Sequence, residues 1–147
     1  MKSIFDKEVQ KEVLRRAKTL KPYSLKQWGK MNVEQMLWHT SAQLRMGLGE
    51  IPVKPWFNNL ISRIAVWTFG IRIPWSQGLL TAKEMKNEDP ASFEVEMDNF
   101  LITFDRFISK PEEYKFSGHP IFGKMSSDEW GKIAYKHIDH HFRQFGA

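Results

Sequence analysis

Apolar residues recur every three or four positions through most of this chain, and no stretch alternates apolar with polar long enough to make a strand. The pattern predicts an all-α protein. Phe5, Val9, Val13, Ala17 and Leu20 form one stripe, predicting a first helix over 4–20 that Pro22 closes soon after. A second helix is predicted over 32–48, where Asn32 can cap and Gln35 can complete a capping box before Gly49 ends the run. Its stripes Val33-Leu37-Leu44-Leu48 and Met36-His39-Gln43-Met46 lie side by side, which sets His39 at or beside the buried face. Phe93, Met97, Phe100, Leu101, Phe104, Phe107 and Ile108 predict a third helix over 90–109. The fourth, over 126–145, opens on a second capping box at Ser126 and Glu129 and turns Trp130, Ile133, Ala134, His137, His141 and Gln144 inward. Four helices with one apolar face each bury those faces by packing as a four-helix bundle.

Residues 49–90 break the regularity. Pro52, Pro55, Pro74 and Gly78 surround an apolar helix predicted over about 56–69, with Phe57, Leu60, Ile61, Ile64 and Thr68 on one side. The stretch 51–90 reads as an inserted crossover that covers one end of the bundle or forms a subunit contact. A related pattern precedes both histidine-bearing helices: Trp28-Gly29-Lys30-Met31-Asn32 and Phe122-Gly123-Lys124-Met125-Ser126. Both helices are therefore expected to enter the bundle in a similar way, with the Met as a hydrophobic staple.

A chain of 147 residues with 41% hydrophobic and 14% aromatic content is read as one domain, 1–147, with a large-residue core, a composition that argues against disorder. It has no Cys, so disulfides, thiolate catalysis and cysteine metal sites are excluded. Any metal must rest on His, Asp or Glu, and any thiol chemistry needs a borrowed thiol. The net charge of +5 is unevenly spread: residues 1–30 carry +6 and the remainder −1. A basic first helix reads as a solvated face, and the aromatics lie at core spacing without interleaved basic residues, so nucleic acid is not the expected partner. The start has no apolar run of the signal-peptide kind, and Trp56 to Phe69, interrupted by Asn58, Asn59 and Arg63, is too short to span a bilayer. A cytoplasmic location is the expectation. Gly-rich phosphate loops and nucleophile elbows are absent from the sequence.

The chemistry is concentrated at the end, where His137, His140 and His141 fall within five residues. On a helix, residues four apart point two side chains at one spot, so His137 and His141 have metal-ligand spacing, and His39 on a neighbouring helix would complete a three-nitrogen site. Such a site leaves a position open for water or substrate, and neutral imidazole suits Zn²⁺, Ni²⁺, Cu²⁺ and Fe²⁺. The other reading is a hydrogen-bonded pair in the core. In the metalloprotease pattern H-E-x-x-H the spacing is the same, but Ile138 stands where the general-base Glu would be, so peptidase chemistry is not expected. His140 lies about 100° around the helix from His141 and reads as a residue behind the ligands or on the surface. Gln43 and Gln144, one turn or less from His39 and His141, are candidates to orient them. His119 precedes Pro120 and is either a loop anchor or an acid/base at a pocket mouth.

A His in the second helix followed by a H-x3-H pair in the last resembles the DinB superfamily of metal-binding four-helix bundles. The ending from Gly118-His119-Pro120-Ile121-Phe122-Gly123, through Trp130, to His137-Ile138-Asp139-His140-His141-Phe142-Arg143-Gln144-Phe145-Gly146 is similar to an uncharacterised branch ending in H-x2-H-H-x2-Q-F-G. The resemblance implies an up-down-down-up bundle with a long, partly helical crossover between helices two and three, often a homodimer. It also implies a divalent ion, Zn or Ni foremost, on His39, His137 and His141. Characterised relatives include transferases and isomerases dependent on a low-molecular-weight thiol, acting on small-molecule substrates. The alternative is a non-catalytic, stress-related binding protein with a structural or vestigial metal site.

Overall fold

The computed structural model describes residues 1–54, 59–78, 85–111 and 113–147. In chain order the helices are α1 (Lys7–Ala17), α2 (Val33–Gly47), α3 (Asn59–Ala65), which runs directly into a π-helical segment (Val66–Arg72), α4 (Phe93–Ile108) and α5 (Ser127–Gln144). Among the described residues there is no strand; one isolated bridge joins His119 and Gly123. The four long helices match the four predicted ones with their ends trimmed. At the first of these the trimming has a clear cause, because the backbone N–H of Ile4 bonds to the carbonyl of Gly131 on α5 at 3.1 Å and leaves the helix.

Both predicted capping boxes are formed. Asn32 accepts from the Gln35 amide at 2.8 Å while the Gln35 side chain accepts from the Asn32 N–H at 3.0 Å. Ser126 and Glu129 repeat the exchange at 3.2 and 2.8 Å. Gly29 and Gly123, which lead into these caps, share a positive φ of 80° and 62°, a conformation that favours glycine.

Side-chain contacts fix the helix directions. Tyr135 reaches Glu12 and Asp139 reaches Arg16, so α1 and α5 run parallel. His39 meets His137, while Gly47, two turns on, lies against Trp130, so α2 and α5 are antiparallel. Gln35 bonds to Asn87 just before α4, and Gly47 packs on Phe107 near its end, so α2 and α4 are parallel. The order is up, down, down, up, with residues 48–92 as the crossover.

The main core contains Met36, Leu37, Leu44, Phe100, Phe104, Phe107, Trp130, Ile138 and Phe142 from three of the helices, with Val9, Val13 and Ala17 from α1. A small second cluster, Val66, Phe122 and Ile133, seats the π-helical segment on α5. One expectation is corrected. The lysines of α1 face solvent, but Arg16 is buried, its guanidinium donating to Asp139 Oδ1 at 2.7 Å and to the Ala147 carbonyl at 2.9 Å. The apolar side predicted for the crossover helix points outward: Leu60 and Ile64 are 72% and 56% exposed, and Ser62, Val66 and Gly70 face the bundle instead. Phe57 lies outside the described residues. No helix among the described residues is long and apolar enough to cross a membrane.

Helices α2, α4 and α5 approach closely at Gly47, where a Cβ would stand 2.7 Å from Phe107 Cε2 and 3.3 Å from Trp130 Cζ3, both rings being fully buried. Gly47→Ala is expected to destabilise the protein by about 1–3 kcal/mol through overpacking. Gly118→Ala, where the nearest atom would be 3.6 Å away, should change little. Urea denaturation of the two variants checks the contrast.

Candidate metal centre

Antiparallel packing of α2 on α5 brings three of the predicted site residues together. The ring centroids of His39, His137 and His141 are 4.6–4.7 Å apart pairwise. One nitrogen from each lies within 4.8 Å of the others, and all three rings are buried. Helix phase explains the placement: His137 and His141 are stacked one turn apart, and His39 projects from the facing turn of α2.

The hydrogen bonds assign the protons on two of the rings. The Met85 carbonyl, 2.8 Å from His39 Nδ1, can only accept, so Nδ1 carries the hydrogen and Nε2 keeps its lone pair. Gln144 donates its amide Nε2–H to the Trp28 carbonyl at 2.7 Å, which turns its Oε1 to accept from His141 Nδ1 at 2.9 Å. His141 Nε2 is then also a lone pair. His137 Nε2 stands 2.8 Å from His39 Nε2, and its Nδ1 is buried with no hydrogen-bond partner.

Burial keeps the cluster neutral. Desolvation lowers the pKa of His39, and it lowers that of His137 far more, helped there by the neighbouring imidazoles. His141 is pushed down to about 3, again chiefly by burial. Neutral imidazole is the ligating form, so the donor set fits a divalent ion. Two nitrogens on one tetrahedral ion at about 2.0–2.1 Å stand roughly 3.4 Å apart, so His39 and His137 need to spread by about half an ångström. His39 and His141 each donate Nδ1–H to a fixed acceptor and turn a lone pair inward, as a site of this kind requires, whereas His137 Nδ1 has no such acceptor.

Around the cluster, Trp75 packs edge-on against His137 at 5.8 Å and against His140 at 6.2 Å, and Trp28 packs against His140 at 6.0 Å. His140 is therefore neither a member of the cluster nor a surface residue. It is buried behind His141, edge-on at 5.1 Å. Gln144 orients His141, whereas Gln43 is buried with its Oε1 unpartnered and bonds to none of the three rings. His119 is a loop anchor: its Nδ1 accepts from the N–H of Ile121 and of Phe122, its ring stacks on Phe122 at 4.6 Å, and burial holds its pKa at about 3. An acid/base at a pocket mouth would be exposed and titrate near neutrality, and His119 does neither.

A family model described as "Protein of unknown function (DUF1569)" matches residues 5–147. The chain belongs to the DUF1569 family. No curated protein and no solved structure matches it.

Three contributors to this DUF1569 site were not read from the sequence. The Met85 carbonyl and the Trp28 carbonyl are backbone groups and carry no side-chain signal. Trp75 lies in the aperiodic crossover, where it is held by Lys136. That ammonium, one residue before His137, donates to the carbonyls of Phe69, Gly70 and Ile73 at 2.9, 3.0 and 2.6 Å and lies 5.2 Å from the Trp75 ring centroid. Gly29, whose only sequence signal is the aromatic-Gly-Lys-Met pattern it shares with Gly123, has a positive φ, and a Cβ there would fall 2.3 Å from Gln144 Nε2.

Two outcomes follow from these contacts. His119 binds a proton in the unfolded chain near pH 6.5 but in the fold only near 3, so its stabilising contribution is complete above pH 6.5 and is lost as the pH falls toward 3. Within that window His119→Asn should reduce the slope of unfolding free energy against pH by about 1.4 kcal/mol per unit, measured by denaturant titration of metal-free protein. Lys136→Met should raise hydrogen exchange across Val66–Trp75 while leaving α2 and α4 protected, as measured by peptide-level exchange.

Proposed function

We propose that this chain is a metal-dependent enzyme of the DinB type, holding one divalent ion on His39, His137 and His141 and acting on a small-molecule substrate. The observation that carries the reading is the orientation of the lone pairs. His39 and His141 each commit Nδ1–H to a fixed acceptor and turn Nε2 to one point, where His137 Nε2 also lies. Three protein ligands leave one position of a tetrahedral ion free, which separates catalytic from structural sites. All-imidazole donors favour Zn²⁺ or Ni²⁺ over hard cations.

A bound ion would supply a Lewis acid that lowers the pKa of a water or thiol placed beside it. The protein's own residues do the rest. Met85 and Gln144 fix two ring planes, burial keeps all three rings neutral, and Trp75 and Trp28 exclude water on the side of His137 and His140. Because the chain has no Cys, thiol-dependent transfer would draw on a low-molecular-weight thiol from solution, and this is the reaction class we favour.

Metal analysis of protein made without a histidine tag tests the site. A single divalent ion per chain is expected, with most of it lost in His137→Ala and little in His140→Ala. Gln144→Leu should weaken binding roughly 10–100-fold by freeing the His141 ring. No bound metal, or greater loss in His140→Ala than in His141→Ala, overturns the site. Loaded protein is then assayed for consumption of electrophiles with glutathione, bacillithiol and mycothiol. Tight metal binding without thiol-dependent turnover would move the reading to a structural ion in a binding protein.

A further inference from the structure

The surface of the crossover poses a problem that the metal site does not address. On α3 and the π-helical segment, Leu60, Ile64, Trp67, Phe69 and Ile73 are 72%, 56%, 56%, 61% and 45% exposed. Among the described positions of this stretch, the buried ones are Ser62, Val66 and Gly70, a strip of four-residue spacing seated on Phe122 and Ile133. At the area such side chains can bury, the five expose on the order of 500 Å² of apolar surface, at the level where a patch marks a contact surface.

The charges that this stretch of chain itself contributes are all of one sign. From Ile51 to Lys83 the sequence contains no Asp or Glu, while Lys54, Arg63, Arg72 and Lys83 are basic. Arg63 is engaged with Glu129 of α5. Arg72 lies over the Trp67 ring, 4.2 Å from its centroid, and Lys54 is exposed. A cation thus sits on the aromatic at the middle of the patch, not opposite a carboxylate.

We propose that this face docks on an anionic lipid bilayer, lying in the headgroup region without crossing it. An interfacial helix buries Trp, Phe and Leu at the acyl boundary while Lys and Arg at its margin meet lipid phosphates, and it asks for no matching shape in the partner. A second copy of this chain fits less well. A stable dimer buries about 800 Å² per partner, more than the patch offers, and a two-fold contact would bring the basic margins of the two copies together. The surface is separate from the histidine cluster, so the inference stands or falls apart from the metal reading.

The test is co-sedimentation of the full chain with phosphatidylglycerol-containing vesicles and with phosphatidylcholine vesicles. Binding is expected only to the former, weakening as salt rises. The doubly substituted Trp67→Ser/Phe69→Ser protein should bind about tenfold more weakly or worse. Arg72→Glu, a surface change that leaves the seated strip intact, should do the same if the double variant folds poorly by circular dichroism. Arg15→Glu on α1 should bind as the parent does. The proposal is overturned by absence of binding to phosphatidylglycerol vesicles or by binding that Arg72→Glu leaves unchanged. It is equally overturned if Arg15→Glu abolishes binding, which would place the contact on α1. Self-association that Trp67→Ser abolishes, without vesicle binding, would assign the face to a second copy.

Discussion

Burying three imidazoles against one another excludes positive charge from the centre of this bundle. A protonated ring there would be desolvated and repelled by two neighbours, and no carboxylate in the cluster offsets it. The rings must be neutral, and a neutral imidazole has one donor and one acceptor, so the arrangement is stable only if each donor finds an acceptor. Much of the local structure follows from this. The Met85 carbonyl, from the crossover, answers His39, and the side chain of Gln144 answers His141. His137, with nothing on its Nδ1, is held by packing and by His39 alone.

The acceptor on His141 ties distant parts of the chain together. Gln144 can accept from His141 because its other end donates to the Trp28 carbonyl, and its own backbone carbonyl receives the N–H of Gln27 at 2.8 Å. The loop leading into α2 is thereby strapped to the end of α5, close enough that only glycine fits at position 29. The two helices that carry the ligands are held in register at the site itself, independently of the Phe and Trp layers farther along. On the opposite side Lys136 performs the corresponding task for the crossover, gathering the carbonyls of Phe69, Gly70 and Ile73 at the end of the π-helical segment, the first of them shared with the Trp75 indole.

What could be read in advance divides along physical lines. The four helices were legible because each has a 3.6-residue apolar period and two of them open on capping boxes, signals that depend on neighbours in sequence. The convergence of His39, His137 and His141 was legible because it rests on helix phase. Arg16 was not, since its partners Asp139 and Ala147 are more than a hundred residues away and its neighbours in α1 form a solvated basic face. Which side of the crossover helix turns inward was not legible because burial there follows small residues: Ser62 and Gly70 let the backbone approach Gly123 and Ile133, and their bulky neighbours are left outside. His140 was placed behind the ligands or at the surface; Trp28 and Trp75, arriving from two loops, bury it.

The contact between His39 and His137 links the fold to the chemistry. With His39 Nδ1 committed to Met85, the 2.8 Å approach of the two Nε2 atoms requires His137 to carry its hydrogen on Nε2, which leaves Nδ1 bare in the core. That hydrogen bond occupies the direction in which an ion would sit. Ligation needs the other tautomer of His137, with its hydrogen on Nδ1 and its Nε2 lone pair free, while His39 and His141 already present theirs. One ring exchanges tautomer and moves by a fraction of an ångström; the charge of the cluster does not change. The same acceptors orient His39 and His141 with an ion or without one, and His137 alone gives up its hydrogen bond to His39 when it ligates.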